Sequence, residues 1–117
     1  MDLIEQITTV ATSLGWQVTS DTSVPNVVEF EFSQYTPEGH DLDFCAEMKD
    51  NDPDTLLKEI EQYYECYDPD YEAYLWIGTD GHGKNGAPYH IKDIVSDMEA
   101  AEAMINTLYE TLKTALQ

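Results

Sequence analysis

Two stretches of this chain alternate apolar and polar side chains with a period of two. Between Val27 and Tyr35, the residues Val28, Phe30 and Phe32 interleave with Glu29, Glu31 and Ser33; between Asp41 and Met48, the residues Leu42, Phe44, Ala46 and Met48 interleave with Asp41, Asp43, Cys45 and Glu47. Successive side chains of a strand point to opposite faces, so the pattern predicts two half-buried strands, each apolar on one side and acidic on the other. Pro37, Glu38 and Gly39 supply the turn between them, which makes the pair an antiparallel hairpin.

The remaining elements follow from spacing and breakers. Leu3, Ile4, Ile7, Val10, Ala11 and Leu14 predict a helix over 2–14, stopped by Gly15. Trp16 and Val18 suggest a short strand, with Thr19 to Asn26 as a loop. Asp52-Pro53 reads as an N-cap and a first-turn proline opening a helix to about Tyr67, with Leu56, Leu57, Ile60, Tyr63, Tyr64 and Tyr67 inward. After Asp68-Pro69-Asp70, the alternation of Ala73, Leu75 and Ile77 with Glu72, Tyr74 and Trp76 predicts a fourth strand over 71–77. A glycine-rich loop over 78–90 precedes a last helix over 91–116. The expected fold is a single α+β domain over 1–117 in the order α-β-β-β-α-β-α, an antiparallel or mixed sheet with helices packed on one face.

In the last helix Ile91, Ile94, Met98, Ala101, Ile105, Leu108, Leu112 and Ala115 recur in steps of three and four. Such a stripe reads as core. A helix of this length spans about 39 Å, more than a short strand covers, so one end also offers a homodimer contact.

The chain sets 24 Asp and Glu against five Lys and no Arg, a net charge of −19. That balance repels nucleic acid and anionic membranes and attracts basic partners, and the missing Arg removes the bidentate phosphate ligand. With 42% hydrophobic residues, two Trp and eight Tyr, it still has the material of a folded core. No apolar run reaches the ~20 residues of a membrane span, and the Met-Asp-Leu-Ile-Glu start lacks a basic flank, so a cytoplasmic location is expected. Cys45 and Cys66, 21 positions apart, match no zinc or redox spacing and read as buried free thiols.

Half of the acidic residues, 12 of 24, fall between Asp41 and Glu72. Glu29, Glu31, Asp43 and Glu47 should share the sheet face opposite the core, joined by Asp50, Asp54, Glu61 and Glu65 from the adjoining turn and helix. Carboxylates held on a rigid scaffold can copy the field of duplex DNA and occupy the basic groove of a DNA-handling protein. The same charge also serves solubility or life at high salt.

Other motifs fit their chemistry less well. Gly78 to Asn85 approaches a phosphate-cradling loop, but Asn85 replaces the metal-binding hydroxyl, and Gly86, Ala87 and Pro88 separate Lys84 from the next helix. The loop nevertheless provides a second candidate site for a small ligand or metal at Asp80, His82, Lys84, Asn85 and His90. Asp80, His82, His90 and Asp93 are of ligand type but lack a recognisable spacing, so no metal or other cofactor is assigned. Asp50, Asp52, Asp54 and Glu61 echo a calcium loop, though Pro53 favours a capped helix. No catalytic pair or nucleophile stands out, so the expected role is binding rather than catalysis.

The segment Tyr71-Glu-Ala-Tyr-Leu-Trp76, followed by Gly81-His-Gly-Lys-Asn-Gly-Ala-Pro88, resembles a signature of small acidic proteins of gut bacteria, often carried on mobile elements. The resemblance extends over residues 27 to 112 in element order. It implies a mobile-element setting, which favours interference with host DNA-handling proteins, and transfers no functional residue.

Overall fold

The two alternating stretches form strands β2 (Val27–Tyr35) and β3 (Asp41–Lys49) in a computed structural model that describes residues 2–116. They pair antiparallel, with Phe32 opposite Phe44 and Glu29 opposite Glu47. A slip of one residue would turn the carboxylates into the core, so the hydrophobic pattern itself fixes the register. β1 (Gln17–Asp21), which extends into the segment read as loop, joins the other edge of β2 antiparallel and completes a β1-β2-β3 sheet. Phe30, Phe32, Leu42, Phe44, Ala46 and Met48 are buried on its inner face.

Three helices cover that face. α1 (Leu3–Ser13) begins where the Asp2 carboxylate accepts the Glu5 N–H at 2.8 Å and ends just before Gly15, whose φ of +94° suits a residue without a Cβ. α2 (Pro53–Cys66) is capped by Asp52, which accepts the Asp54 N–H at 3.0 Å, so this acidic run starts a helix rather than a calcium loop. The helix preceding the C-terminus spans Ile91–Ala115. Its Ala101, Ile105, Leu108 and Leu112 join Ile7 and Ala11 of α1, and Leu56, Leu57 and Ile60 of α2, in the main core. Each large side chain buried there contributes about 1.5–3 kcal/mol, the term that holds the fold against the self-repulsion of its net charge.

The fourth expected strand is a helix. Residues Pro69–Tyr74 form α3, making the long helix α4 and the element order α-β-β-β-α-α-α. Asp68 is its N-cap, accepting the N–H groups of Asp70 at 3.0 Å and Tyr71 at 3.4 Å, with Pro69 in the first turn. Helical coiling buries Ala73 against Ile94 and Met98 of α4, with Trp76 and Ile77 packed alongside, in a second small cluster. Tyr71, Tyr74 and Leu75 remain exposed.

The middle of the apolar stripe of α4 is consumed inside the chain, while Ile91 at its start is exposed. Ile94, Met98, Ala101, Ile105, Leu108 and Leu112 are buried, and α1, α2 and α3 all pack on this helix. The sheet edges differ too. Along β3, the Glu47 N–H donates to Glu59 Oε1 at 2.9 Å and the Lys49 N–H to Thr55 Oγ1 at 2.8 Å, both from α2, whereas β1 is the exposed edge. Cys45 and Cys66 are free thiols but not buried ones: both are exposed, Cys45 because it takes an outward slot of β3. Among the described residues no helix is long and apolar enough to cross a membrane.

Candidate functional site

The solvent face of the sheet carries ordered rows of charge. Register places Asp21, Glu29 and Glu47 in one row across the three strands, Thr19, Glu31 and Cys45 in the next, and Gln17, Ser33 and Asp43 in a third. Side chains directly opposite on neighbouring strands lie ~5 Å apart, so the carboxylates of the first row feel one another strongly. Glu29, Glu31 and Asp43 also surround the Cys45 thiol, which burial first and these three charges next push above its ordinary pKa. On this face Glu29, Glu31 and Asp43 are exposed.

The other four expected acidic residues divide between two places. Asp50, at φ +54°, and Asp54 belong to the turn and first helical turn that follow β3. Glu61 instead accepts the Tyr109 O–H at 2.7 Å across the seam between α2 and α4, and Glu65 acts on the same phenol, whose proton is held above its usual pKa chiefly by the Glu61 bond. The structure adds Asp21 and Asp41, both exposed in outward positions of their strands. Asp21 lies in the segment read as loop from Thr19 onward, and only the alternation of Gln17, Thr19 and Asp21 in a strand that runs past Val18 places it outward.

A second feature lies where the β2–β3 turn meets α3 and α4. Thr36 closes the turn: its N–H donates to the His40 carbonyl at 2.8 Å, its carbonyl accepts the Gly39 N–H at 2.8 Å, and its hydroxyl accepts the His40 N–H at 2.9 Å. The turn is then tied to α4 through Asp97, only 4% exposed, which accepts the Thr36 O–H at 2.6 Å and the Glu38 N–H at 3.0 Å. Beside this tie opens a cavity of about 290 Å³, walled by Glu38, His40, Asp41, Trp76, Asn85 and Asp97, with Ile94 and Met98 among its apolar surfaces. The His40 and Trp76 rings meet edge to face at 4.4 Å.

The glycine loop supplies one side of the cavity through Asn85 and the backbone that follows it. The loop is folded on itself: Gly78 N–H donates to His82 O at 2.6 Å, Gly83 N–H to Tyr89 O at 3.1 Å, and Lys84 N–H to Trp76 O at 3.0 Å. A Cβ on Gly83 would sit 1.8 Å from the Pro88 carbonyl oxygen, so only glycine permits this closure. Of the expected loop residues, Asn85 alone lines the cavity. Asp80 caps the His82 N–H at 3.1 Å, and the His82 ring stacks on Tyr89 at 4.0 Å. Asp80, His82, His90 and Asp93 do not assemble: among the described residues no three His, Cys, Asp or Glu side chains gather as metal ligands. Sequence reasoning missed Asp97, although a carboxylate beside Met98 in the apolar stripe of α4 was the available signal.

The chain matches no family model, no curated protein and no solved structure.

Proposed function

We propose that this chain is a non-enzymatic acidic binding protein that lays the solvent face of its sheet on the basic surface of a DNA-handling protein, in place of DNA. The observation that carries the reading is the cross-strand row of Asp21, Glu29 and Glu47, with the exposed Glu31 and Asp43 beside it, on the solvent face of the sheet. β2 is nine residues long, about 30 Å at the rise of a strand. Six carboxylates, counting Asp41, lie over that length with Lys49 on the same outward side at one end, a net density of about one charge per 6 Å, against one per ~1.7 Å for both strands of a duplex and ~3.4 Å for one. The face is a patch sparser than a phosphate line, nearer in density to one DNA strand than to the duplex. The resemblance to acidic mobile-element proteins agrees with such a target.

The test is affinity capture from a lysate of the source organism at low ionic strength, with elution by salt steps and, separately, by duplex DNA. A DNA-binding protein released by both, and no longer retained by the Glu29→Gln/Glu31→Gln variant, is the expected result. Retention unchanged by that double substitution, or insensitive to duplex DNA, refutes the sheet face as a DNA substitute.

A further inference from the structure

We propose that the cavity between the β2–β3 turn, the glycine loop and α4 binds a small organic cation: an ammonium or guanidinium group on a short apolar stem. The inference stands on the cavity alone and does not depend on the sheet-face reading.

Size and sign come first. About 290 Å³ lies at the small end of ligand pockets. Its wall contains the carboxylates of Glu38, Asp41 and Asp97 and no lysine. The sign of the wall disfavours an anion, and a neutral occupant would strip water from the exposed Glu38 and Asp41 without replacing it.

Asp97 makes the demand specific. It is 96% buried, and its two hydrogen-bond donors, the Thr36 hydroxyl and the Glu38 amide, are neutral. They orient the carboxylate, and among the described residues no lysine lines the cavity to pair its charge. A charge withdrawn from water is costly until it is paired, so a cation entering beside Asp97 and Asp41 recovers free energy that no neutral ligand can. Each Asp97 oxygen keeps acceptor capacity beyond the one bond it makes, so a donor from the ligand need not displace Thr36 or Glu38.

The remaining wall fits an apolar stem. Ile94, Met98 and Pro88 are apolar, and the Trp76 indole, in perpendicular contact with the His40 ring, supplies the aromatic surface on which organic cations rest most favourably. A hydrated metal ion gains nothing from such a surface. The cation has two sources, a free amine or a Lys or Arg side chain presented by a protein, and the chemistry of recognition is the same for both.

The experiment follows the indole N–H resonance of Trp76, assigned with Trp76→Phe, by nitrogen-edited NMR at physiological ionic strength. The probes are choline, butylammonium, a lysine tripeptide and an arginine tripeptide, with dimethylbutanol as the neutral carbon isostere of choline. The expected result is a saturable shift of Trp76 with at least one cation and none with the alcohol. A response to free amines assigns the site to a small molecule; a stronger response to a tripeptide assigns it to a partner's side chain.

Asp97→Asn should abolish binding. Because that change also disturbs the turn, Asp41→Asn serves as the second variant: it lies on an exposed strand position and should weaken binding about tenfold with the fold intact. Three results overturn the proposal: no saturable shift with any cation, an equal shift with dimethylbutanol, or unchanged affinity in Asp41→Asn. Shifts confined to the amides of Glu29 and Glu31, with Trp76 unmoved, overturn it as well, because they report cations gathering on the sheet face.

Discussion

Thr36 and Asp97, separated by 61 positions in the chain, stand 2.6 Å apart in the fold, with the threonine hydroxyl donating to the buried carboxylate. This bond fastens the tip of the central hairpin to the long helix. Thr36→Val keeps the shape and removes the donor, leaving a buried charge with one partner fewer. The loss should be about 1–3 kcal/mol in chemical denaturation. In a double-mutant cycle with Asp97→Ala, the two losses should fall short of additive, since either change breaks the same contact. Additive losses would show that the pair does not act as a unit.

Glu29 sits between Asp21 on one side and Glu47 on the other. Like charges directly opposite in a sheet oppose folding, so Glu29→Gln should stabilise the protein by about 0.2–1 kcal/mol at low ionic strength. The gain should shrink as salt screens the row. Denaturation midpoints at two salt concentrations check this. A substitution that stabilises the fold and weakens partner binding marks a residue retained for contact rather than for stability.

Cys45 reports on the acidic face without added label. Burial first, and then Glu29, Glu31 and Asp43, raise the pKa of its thiol, and the thiolate is the reactive form. A thiol reagent at mildly alkaline pH should therefore modify Cys45 faster in Glu29→Gln/Glu31→Gln than in the unchanged protein. The gain should be partial, because desolvation is the larger cause. Mass spectrometry of the time course gives the Cys45 rate in each. An unchanged Cys45 rate in the double variant would contradict a continuous negative field around it.

Alkaline pH should unfold the protein through its tyrosines. Burial, followed by the charges of Glu72, Tyr63, Asp97 and Glu102, holds the Tyr67 phenol far above its ordinary pKa of 10.0, and Tyr63 is shifted the same way by burial, Glu72 and Asp43. Near pH 10 the unfolded phenol releases its proton while the folded one keeps it. The unfolded state then binds fewer protons, so the stability present below pH 10 falls as the pH climbs through and beyond that value. Tyr67→Phe removes one of these titrations and should flatten the alkaline limb of a stability profile. It also gives up the weak Tyr67 O–H contact to Met98 Sδ at 3.6 Å, so its neutral-pH stability serves as the baseline.

Gly83 and Gly39 should respond differently to alanine. A Cβ at Gly83 collides with the Pro88 carbonyl, whereas one at Gly39 meets open space and strains only the backbone at φ +89°. Gly39→Ala should cost about 1 kcal/mol. Gly83→Ala should cost about 1–3 kcal/mol and displace the glycine loop, deforming the cavity with it. Thermal melts rank the two, and the Trp76 indole resonance should move further in Gly83→Ala than in Gly39→Ala, whose added Cβ meets open space.

The hairpin was readable because burial on one face writes itself into the sequence with a period of two, and the stripe from Ile94 to Leu112 because helix packing does so in steps of three and four. The outward quartet of Glu29, Glu31, Asp43 and Glu47 follows from the same alternation. α3 was misread although its signal was present: Asp68-Pro69 repeats the Asp52-Pro53 cap that opens α2, and alternation over a few residues cannot separate a strand from one helical turn beside another helix. Asp21 was hidden by a strand that outlasts its apolar residues. The cavity was not legible at all. Its walls come from the turn at Thr36, the end of α3, the glycine loop and α4, and only the tertiary fold sets the distance between His40 and Trp76.

The molecule holds two cores of unequal size on one shaft. The large one joins the sheet to α1, α2 and the C-terminal half of α4, while Ala73, Ile94 and Met98 form the small one at the other end of that helix. Regions with less buried apolar surface open at lower free energy than the global transition. On warming, the end with α3 and the glycine loop should therefore come apart first, while the sheet keeps its charged rows in register. The cavity and the acidic face should then fail at different temperatures within a single chain, the cavity first.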